Sequence, residues 1–205
     1  MIPRKKGTAF LLLGICLWLG ALSLTLYNYW EADNAEQASR LLVVELEEQI
    51  AVQDDKTALQ WAESEEAVQA QEMPVIEIDG TDYIGVLEIP SLGLSLPVAA
   101  EWDYTRLKNS PCRYTGSYYT DDLVICGHNY AKHFSPIRRV SIGSDVYFTN
   151  VNGEVIHYVV VNRETVQPTA VEEMIDNTIA GWDLTLFTCN LGGQTRCAVR
   201  CERSK

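Results

Sequence analysis

Basic residues are scarce in this chain of 205: sixteen Lys and Arg stand against twenty-eight Asp and Glu, a net charge of −12. That balance argues against a general nucleic-acid binder, whose surface has to neutralise phosphates. Thirteen Gly and seven Pro are too few for a collagen-like or proline-rich chain, and no internal repeat is visible. Charge is missing altogether from Thr8 to Trp30. The composition of the whole chain, 47% hydrophobic and 21% charged, is that of an ordinary globular protein. The length suits one domain with some chain left over.

The uncharged stretch of 23 residues is long enough to cross a bilayer as a helix, which takes about 20. Arg4, Lys5 and Lys6 precede it; Glu31 and Asp33 follow it. The positive-inside rule then predicts a cytoplasmic N-terminus and an extracytoplasmic remainder, with Tyr27, Tyr29 and Trp30 in the outer aromatic belt. A cleaved signal peptide would have a shorter apolar core ending in small residues. This core ends in aromatics, so the reading is an uncleaved membrane anchor over 1–30.

Most of the acidity lies in residues 31–82, which carry −13, whereas 83–205 carry only −2. Residues 31–72 read as an acidic helical stalk or linker. Leu42, Leu46, Ile50 and Gln53 share one helical face. Two readings of that face stand: a solvated spacer helix, or a helix packed on the following domain.

After Pro74 the segments become short, β-branched and punctuated by Gly, Pro and Asn. The pattern predicts strands over Tyr83–Ile89, Leu94–Ala99, Leu123–Cys126, Asp145–Thr149, Val155–Glu164, Leu184–Cys189 and Arg196–Cys201. Asn152-Gly153 marks a hairpin. Val171–Asn177 is the one helix expected there. The fold class is therefore all-β, a closed barrel or sandwich over 73–205. Alternation sends Cys197, Val199 and Cys201 to the core. It turns Arg196, Ala198 and Arg200 toward a cleft or water.

Of six cysteines, Cys16 lies in the anchor. Cys112, Cys126, Cys197 and Cys201 read as small buried hydrophobes, with a disulfide among them left open. Cys197 and Cys201 cannot pair with each other: four residues apart on one strand, they stand about 13 Å apart. A zinc site from Cys197, Cys201, His128 and His133 has the wrong spacing, and no metal or cofactor is expected. Cys189 is distinctive. It ends an apolar strand, and Gly192-Gly193 in the following loop predicts a tight reversal that sets it opposite Arg196. A cation beside a thiol favours the nucleophilic thiolate, and a guanidinium can donate to a developing oxyanion. For the acid/base partner there are three candidates: His128 at a strand end, His133 in an irregular stretch and His157 within a strand. The strand-end position favours His128.

These residues resemble the sortase family. Thr185-Leu186-Phe187-Thr188-Cys189 followed by Arg196-x-x-Val199 is similar to the signature T-L-x-T-C … R-x-x-V. Gly127-His128-Asn129, then Phe134 to Ile137 and Gly143 to Val146, resemble a second block. Ile84–Pro90 and Leu96-Pro97-Val98 resemble the opening strands. The resemblance spans residues 83–203 and implies an eight-stranded β-barrel. It implies a cysteine transpeptidase, a thiol-protease-like acyl transferase, at a Gram-positive-type cell surface. Cys189 would be the nucleophile, His128 the general acid/base and Arg196 the oxyanion or substrate stabiliser. The implied partners are secreted proteins with an LPxTG-like C-terminal sorting signal, a peptidoglycan precursor or other amine acceptor, and the membrane through the N-terminal helix.

The chain departs from the family pattern in several places. The Cys189–Arg196 loop is six residues, Asn190-Leu191 follows the cysteine, and the usual Gly-Asp is interrupted as Gly143-Ser144-Asp145. No aromatic Asp-Pro lid motif and no C-terminal membrane segment are found, which argues against the pilus-polymerising class. Glu172, Glu173 and Asp176 lie where some sortases bind calcium, and read here as a solvated helix face. Two other readings compete: an L,D-transpeptidase, whose Ser-His-Gly stretch before the cysteine is replaced by Phe187-Thr188, and an inactive anchored binding module.

Overall fold

A computed structural model of the chain describes residues 4–57, 72–170, 175, 181–190 and 192–204. The expected helix over 171–177 falls outside these apart from Ile175.

A single helix, α1 (Arg4–Thr57), carries both the apolar run and the first part of the stalk. No proline interrupts it, and its second half is rich in Ala, Leu, Glu and Gln, all good helix formers. Its 54 residues make a rod about 80 Å long. From Thr8 to Trp30 the side chains are exposed. Beyond them a stripe is buried at helical spacing: Ala35, Ser39, Val43, Leu46 and Ile50. It packs on β1 (Ile76–Ile78), β2 (Thr81–Ile89) and β3 (Leu94–Ala99). Of the two readings of the stalk, the packed helix is the one seen over 35–50. Ala35 and Ser39 let the backbone approach the domain closely, which a search for large apolar residues misses.

The remaining strands are β4 (Cys112–Thr115), β5 (Leu123–Gly127), β6 (Asp145–Asn150), β7 (Val155–Val166), β8 (Leu184–Cys189) and β9 (Arg196–Arg203). Their order is β1-β2-β3-β4-β5-β8-β9-β7-β6, and β6 pairs back onto β2. Strands β2 to β9 thus close an eight-stranded barrel, with β1 added as a short hairpin arm. All seven strands expected from sequence are present, and the Asn152-Gly153 turn joins β6 to β7. Strands β1 and β4 are not among those the sequence pattern predicts. Asp79 (φ 50°) and Gly80 (φ 73°) form the tight turn between β1 and β2, a two-residue hairpin signal present in the sequence.

Strand alternation separates two apolar clusters. Leu123, Ile125, Leu184, Leu186, Val199 and Cys201 point into the barrel with Leu87, Phe148 and Tyr158. Val124, Cys126, Phe187 and Ala198 point outward and share a second cluster with Val43, Leu46 and Ile50 of α1. The face that carries α1 is therefore also the outward face of β5, β8 and β9.

Candidate active site

Strands β5 and β8 run parallel, with Gly127 opposite Thr188 at their last common step. The buried Thr188 hydroxyl donates to the Gly127 carbonyl at 2.8 Å and ties the two strand ends together. The next residues are His128 and Cys189, so they leave neighbouring strands side by side, about 5 Å apart at the backbone. On the other flank, Cys189 is the register partner of Arg196 across the β8–β9 hairpin. All three belong to the outward set by alternation. The structure thus brings the three expected site residues together on three adjacent strands.

The hairpin mouth is tightly laced. The Asn190 amide donates to Thr195 O at 2.9 Å, its side-chain Nδ2 donates to Thr195 Oγ1 at 2.8 Å, and Gly193 N donates to Asn190 O at 2.9 Å. Arg196 Nη1 donates to Gly193 O at 2.9 Å and Thr195 O at 3.3 Å. The guanidinium is therefore held by the loop that follows the thiol. Arg200 and Ala198 correct the expectation that their face meets a cleft or water. Ala198 lies in the outer apolar cluster. Arg200 is only 2% exposed; its Nε donates to Glu164 Oε1 at 2.8 Å and its Nη1 to Thr185 Oγ1 at 3.0 Å. Neighbouring β7 supplies the carboxylate that permits this burial.

The three histidines differ sharply. His128 is half-buried, and its ring stacks on Tyr130 with centroids 4.0 Å apart and planes at 10°. Burial holds its pKa below the ordinary histidine value, opposed by hydrogen bonding to Asn129 and by the Glu31 carboxylate. Its Nδ1 is buried without a hydrogen-bond partner. His133 is 1% exposed, sits 3.3 Å from the His128 carbonyl through Nδ1, and is pushed down to about 4 by burial. It stays neutral and braces the loop. His157 bonds Asp145 at 2.8 Å and stacks on Tyr147, on the β6–β7 pair. Gly127 shapes the His128 loop for a steric reason: a Cβ there would lie 2.3 Å from the Phe134 ring, which folds beneath the turn.

All six cysteines are free. Cys112 and Cys126 face each other across β4–β5 without a bond. Burial pushes both thiols up to about 12, and raises those of Cys197 and Cys201 as well. Cys189 is half-buried at its strand end. Next to it on the outward face, Phe187 meets Tyr114 edge-on at 5.4 Å, and Tyr114 leads on to Trp102 at 5.8 Å. These aromatics adjoin an open cleft of about 350 Å³ lined by Ala100, Trp102, Arg113 and Thr115. Among the described residues no His, Cys, Asp and Glu group could hold a metal. Glu172, Glu173 and Asp176 lie outside them.

Sequence comparison agrees with this geometry. The family model described as Sortase domain matches residues 87–204, more than half of the chain. The chain belongs to the sortase family. Membership makes it a cysteine transpeptidase in general terms. Among solved structures, sortase C1 from Streptococcus suis is 29% identical, covering 60% of this chain and 73% of its own, with a TM-score of 0.52. Sortase A from Listeria monocytogenes is 24% identical over 60% of this chain and 88% of its own, with a TM-score of 0.53. The sortase D5 transpeptidase from Clostridium perfringens is 17% identical over 82% of this chain and 99% of its own, with a TM-score of 0.60. The last two share the fold. No curated protein matches the chain in sequence.

Thr188, Gly127 and Tyr130 also shape the site, and the sequence reading does not single them out. The first two stand inside the motif blocks themselves. Tyr130 becomes visible only through its stacking.

Proposed function

We propose that this sortase is a membrane-anchored enzyme. It would cleave an LPxTG-like C-terminal sorting signal and transfer the protein to a cell-wall amine. The observation that carries the reading is the meeting of His128, Cys189 and Arg196 at the ends of β5, β8 and β9. A sortase C from Clostridium perfringens, similar in fold, has been solved with a C-terminal cell wall sorting motif. The layout is an anchor over 1–30, a stalk over 31–72 and a catalytic domain over 73–205. The apolar window of α1 has a mean hydropathy of 2.3 with none of it buried, as an anchor requires.

In this mechanism the Cys189 thiolate attacks the threonine carbonyl carbon. A C–S bond forms and the carbonyl π pair moves onto oxygen. Arg196 donates to that oxyanion. The tetrahedral species collapses, the C–N bond breaks, and the His128 imidazolium protonates the leaving amine. A thioester remains on Cys189. An acceptor amine attacks it, His128 takes the amine proton, and the thiolate is released with a new amide. Two successive acyl transfers through one covalent intermediate give ping-pong kinetics.

The test is to incubate the full chain in detergent micelles with a pool of LPxTG-like peptides and triglycine, with Cys189→Ala as control. Intact and peptide mass spectrometry should find an acyl adduct confined to Cys189, and a transfer product. No adduct with any peptide, together with no alkylation of Cys189 at neutral pH, would instead favour the inactive binding module.

A further inference from the structure

The helix that carries the uncharged stretch also carries the barrel, and that fixes the height of the site. Helix α1 runs without a break from Arg4 to Thr57, and Ala35 is already buried against the domain. The polar layer on each side of a ~30 Å hydrocarbon core is about 5–7 Å thick, roughly four or five residues of helix at ~1.5 Å each. A layer that begins at the aromatic residues Tyr27, Tyr29 and Trp30 therefore ends close to residues 31–35. Two parts of the domain are tied to α1 at that height. Lys108 Nζ lies 3.8 Å from Glu31 Oε1. Lys132 Nζ lies 3.8 Å from Asp33 Oδ1 and pairs with Glu36.

Lys108 ends the short 3-10 helix Arg106–Lys108, and the segment leading into it is compact. Asp103 Oδ1 accepts from the Thr105 and Arg106 amides at 2.6 and 2.9 Å, and Leu107 N donates to Asp103 O at 3.0 Å. The Arg106 side chain turns back on Asp103, 3.0 Å from its Nε. Just ahead of this turn, Trp102 and Tyr104 meet edge-on at 5.6 Å and remain 41% and 80% exposed. A pair of large amphipathic rings left in the open suits a membrane–water interface, where Trp and Tyr settle. The two lysines are open as well. Their side chains stay 58% and 53% exposed despite the carboxylates beside them, so each ammonium keeps donors for a second acceptor. Lys132 also belongs to the loop of His128, with at most about 14 Å of chain between them.

We propose that the turn 102–108 and the loop of Lys132 form a lipid-docking surface. Trp102 and Tyr104 enter the headgroup layer, and Lys108 and Lys132 donate to the phosphates of glycerophospholipids. The proposal rests on the reading of 1–30 as a membrane anchor. The lysines stand among Glu31, Asp33 and Glu36, so this edge carries no net positive charge. The contact is therefore to lipid phosphate itself, whatever the net charge of the membrane. The consequence is that His128 and Cys189 open at the bilayer surface. The first part of the stalk serves as a bracket that holds the domain against the membrane, and a peptide or amine reaches the site along the headgroups.

The test uses the full chain in phosphatidylcholine nanodiscs. Trp18, Trp30, Trp61 and Trp182 are replaced by Phe, which leaves Trp102 alone. A nitroxide on the lipid headgroup should quench Trp102 at least about twofold, and a nitroxide deep in the acyl chain should quench it far less. A second measurement needs no substitution. A membrane-impermeant N-hydroxysuccinimide ester acetylates the wild-type chain, and mass spectrometry maps the sites. Lys108 and Lys132 should react about threefold more slowly in phosphatidylcholine than in a phosphate-free galactolipid. Lys56, near the far end of α1 and about 39 Å beyond Trp30, should react equally in both. An inserted chain whose Trp102 is quenched by neither nitroxide would overturn the docking surface and leave the anchor reading standing. Equal lysine rates in the two lipids would overturn the phosphate contacts. A chain that alkaline carbonate strips from phosphatidylcholine vesicles would overturn the anchor reading, and the docking with it.

Discussion

The two faces of the β8–β9 hairpin do different work with the same backbone. Inward, Leu184, Leu186, Val199 and Cys201 are fully buried in the barrel. Outward, the environment changes along the strands. Thr185 and Arg200 form a buried polar pair with Glu164 at one end, Phe187 and Ala198 make an apolar middle, and Cys189 and Arg196 stand half-buried at the open end. The inward face is uniform and supplies stability. The outward face is graded, and its chemistry sits where burial ends. Because side chains alternate, a one-residue slip of register would exchange the two faces entirely.

The strongest way to test that division is to remove a thiol from each face. Cys189→Ala should abolish transfer, a loss of at least about 10³-fold, while leaving the melting temperature nearly unchanged because the site is half-open. Cys201→Ala, inside the barrel, should leave kcat of the folded fraction intact and lower stability instead. Iodoacetamide at neutral pH, followed by peptide mapping, should label Cys189 and spare Cys197 and Cys201 inside the barrel, whose thiols burial raises. Labelling of the barrel cysteines in the folded chain would break the comparison.

Next in size is Leu186→Ala. The side chain is fully buried between β5 and β9, and its loss should cost about 3–4 kcal/mol. Chemical denaturation would show it as a lower midpoint with little change in slope. The corresponding outward change, Phe187→Ala, removes the edge-on partner of Tyr114 two residues before Cys189, so KM for peptide should rise as well.

Acid should act through His133. Its folded pKa of about 4 lies below the unfolded value of about 6.5, so the unfolded chain binds the proton more readily. The resulting stability is fully present above pH 6.5 and is lost as pH falls toward 4. It amounts to about 3 kcal/mol. His133→Leu should flatten that part of the stability profile, and an unchanged slope would show that His133 does not sense pH.

Much of this arrangement was legible beforehand. Strands β2, β3 and β5 to β9 carry β-branched runs between turn residues, and the Gly192-Gly193 loop already set Cys189 opposite Arg196. Strand β4 left no signal because it is four residues long and touches β3 through a single parallel bridge, Ala99 to Cys112. Only the barrel around it makes it a strand. The helix stripe was read from Leu42, Leu46, Ile50 and Gln53. The packed residues further up, Ala35 and Ser39, are small and mark close approach rather than hydrophobicity. Strand-end placement favoured His128, but what separates it from His133 is burial, which belongs to the fold. The ion pairs of Lys132 with Asp33 and Glu36 join segments so distant in sequence that no local pattern could announce them.

The smallest predicted effect lies on the boundary between the faces. Thr188 points inward but precedes Cys189, and its hydroxyl donates to Gly127 O at 2.8 Å, just before His128. Thr188→Val keeps shape and volume and removes only the donor. That should cost about 1–2 kcal/mol of stability. If the bond merely adds stability, kcat of the folded fraction will not move. If it sets the separation of His128 from Cys189, kcat should fall about tenfold with KM unchanged, because the proton transfer needs that geometry. The second outcome is expected, since this bond joins β5 and β8 directly at the step where the two catalytic candidates leave their strands.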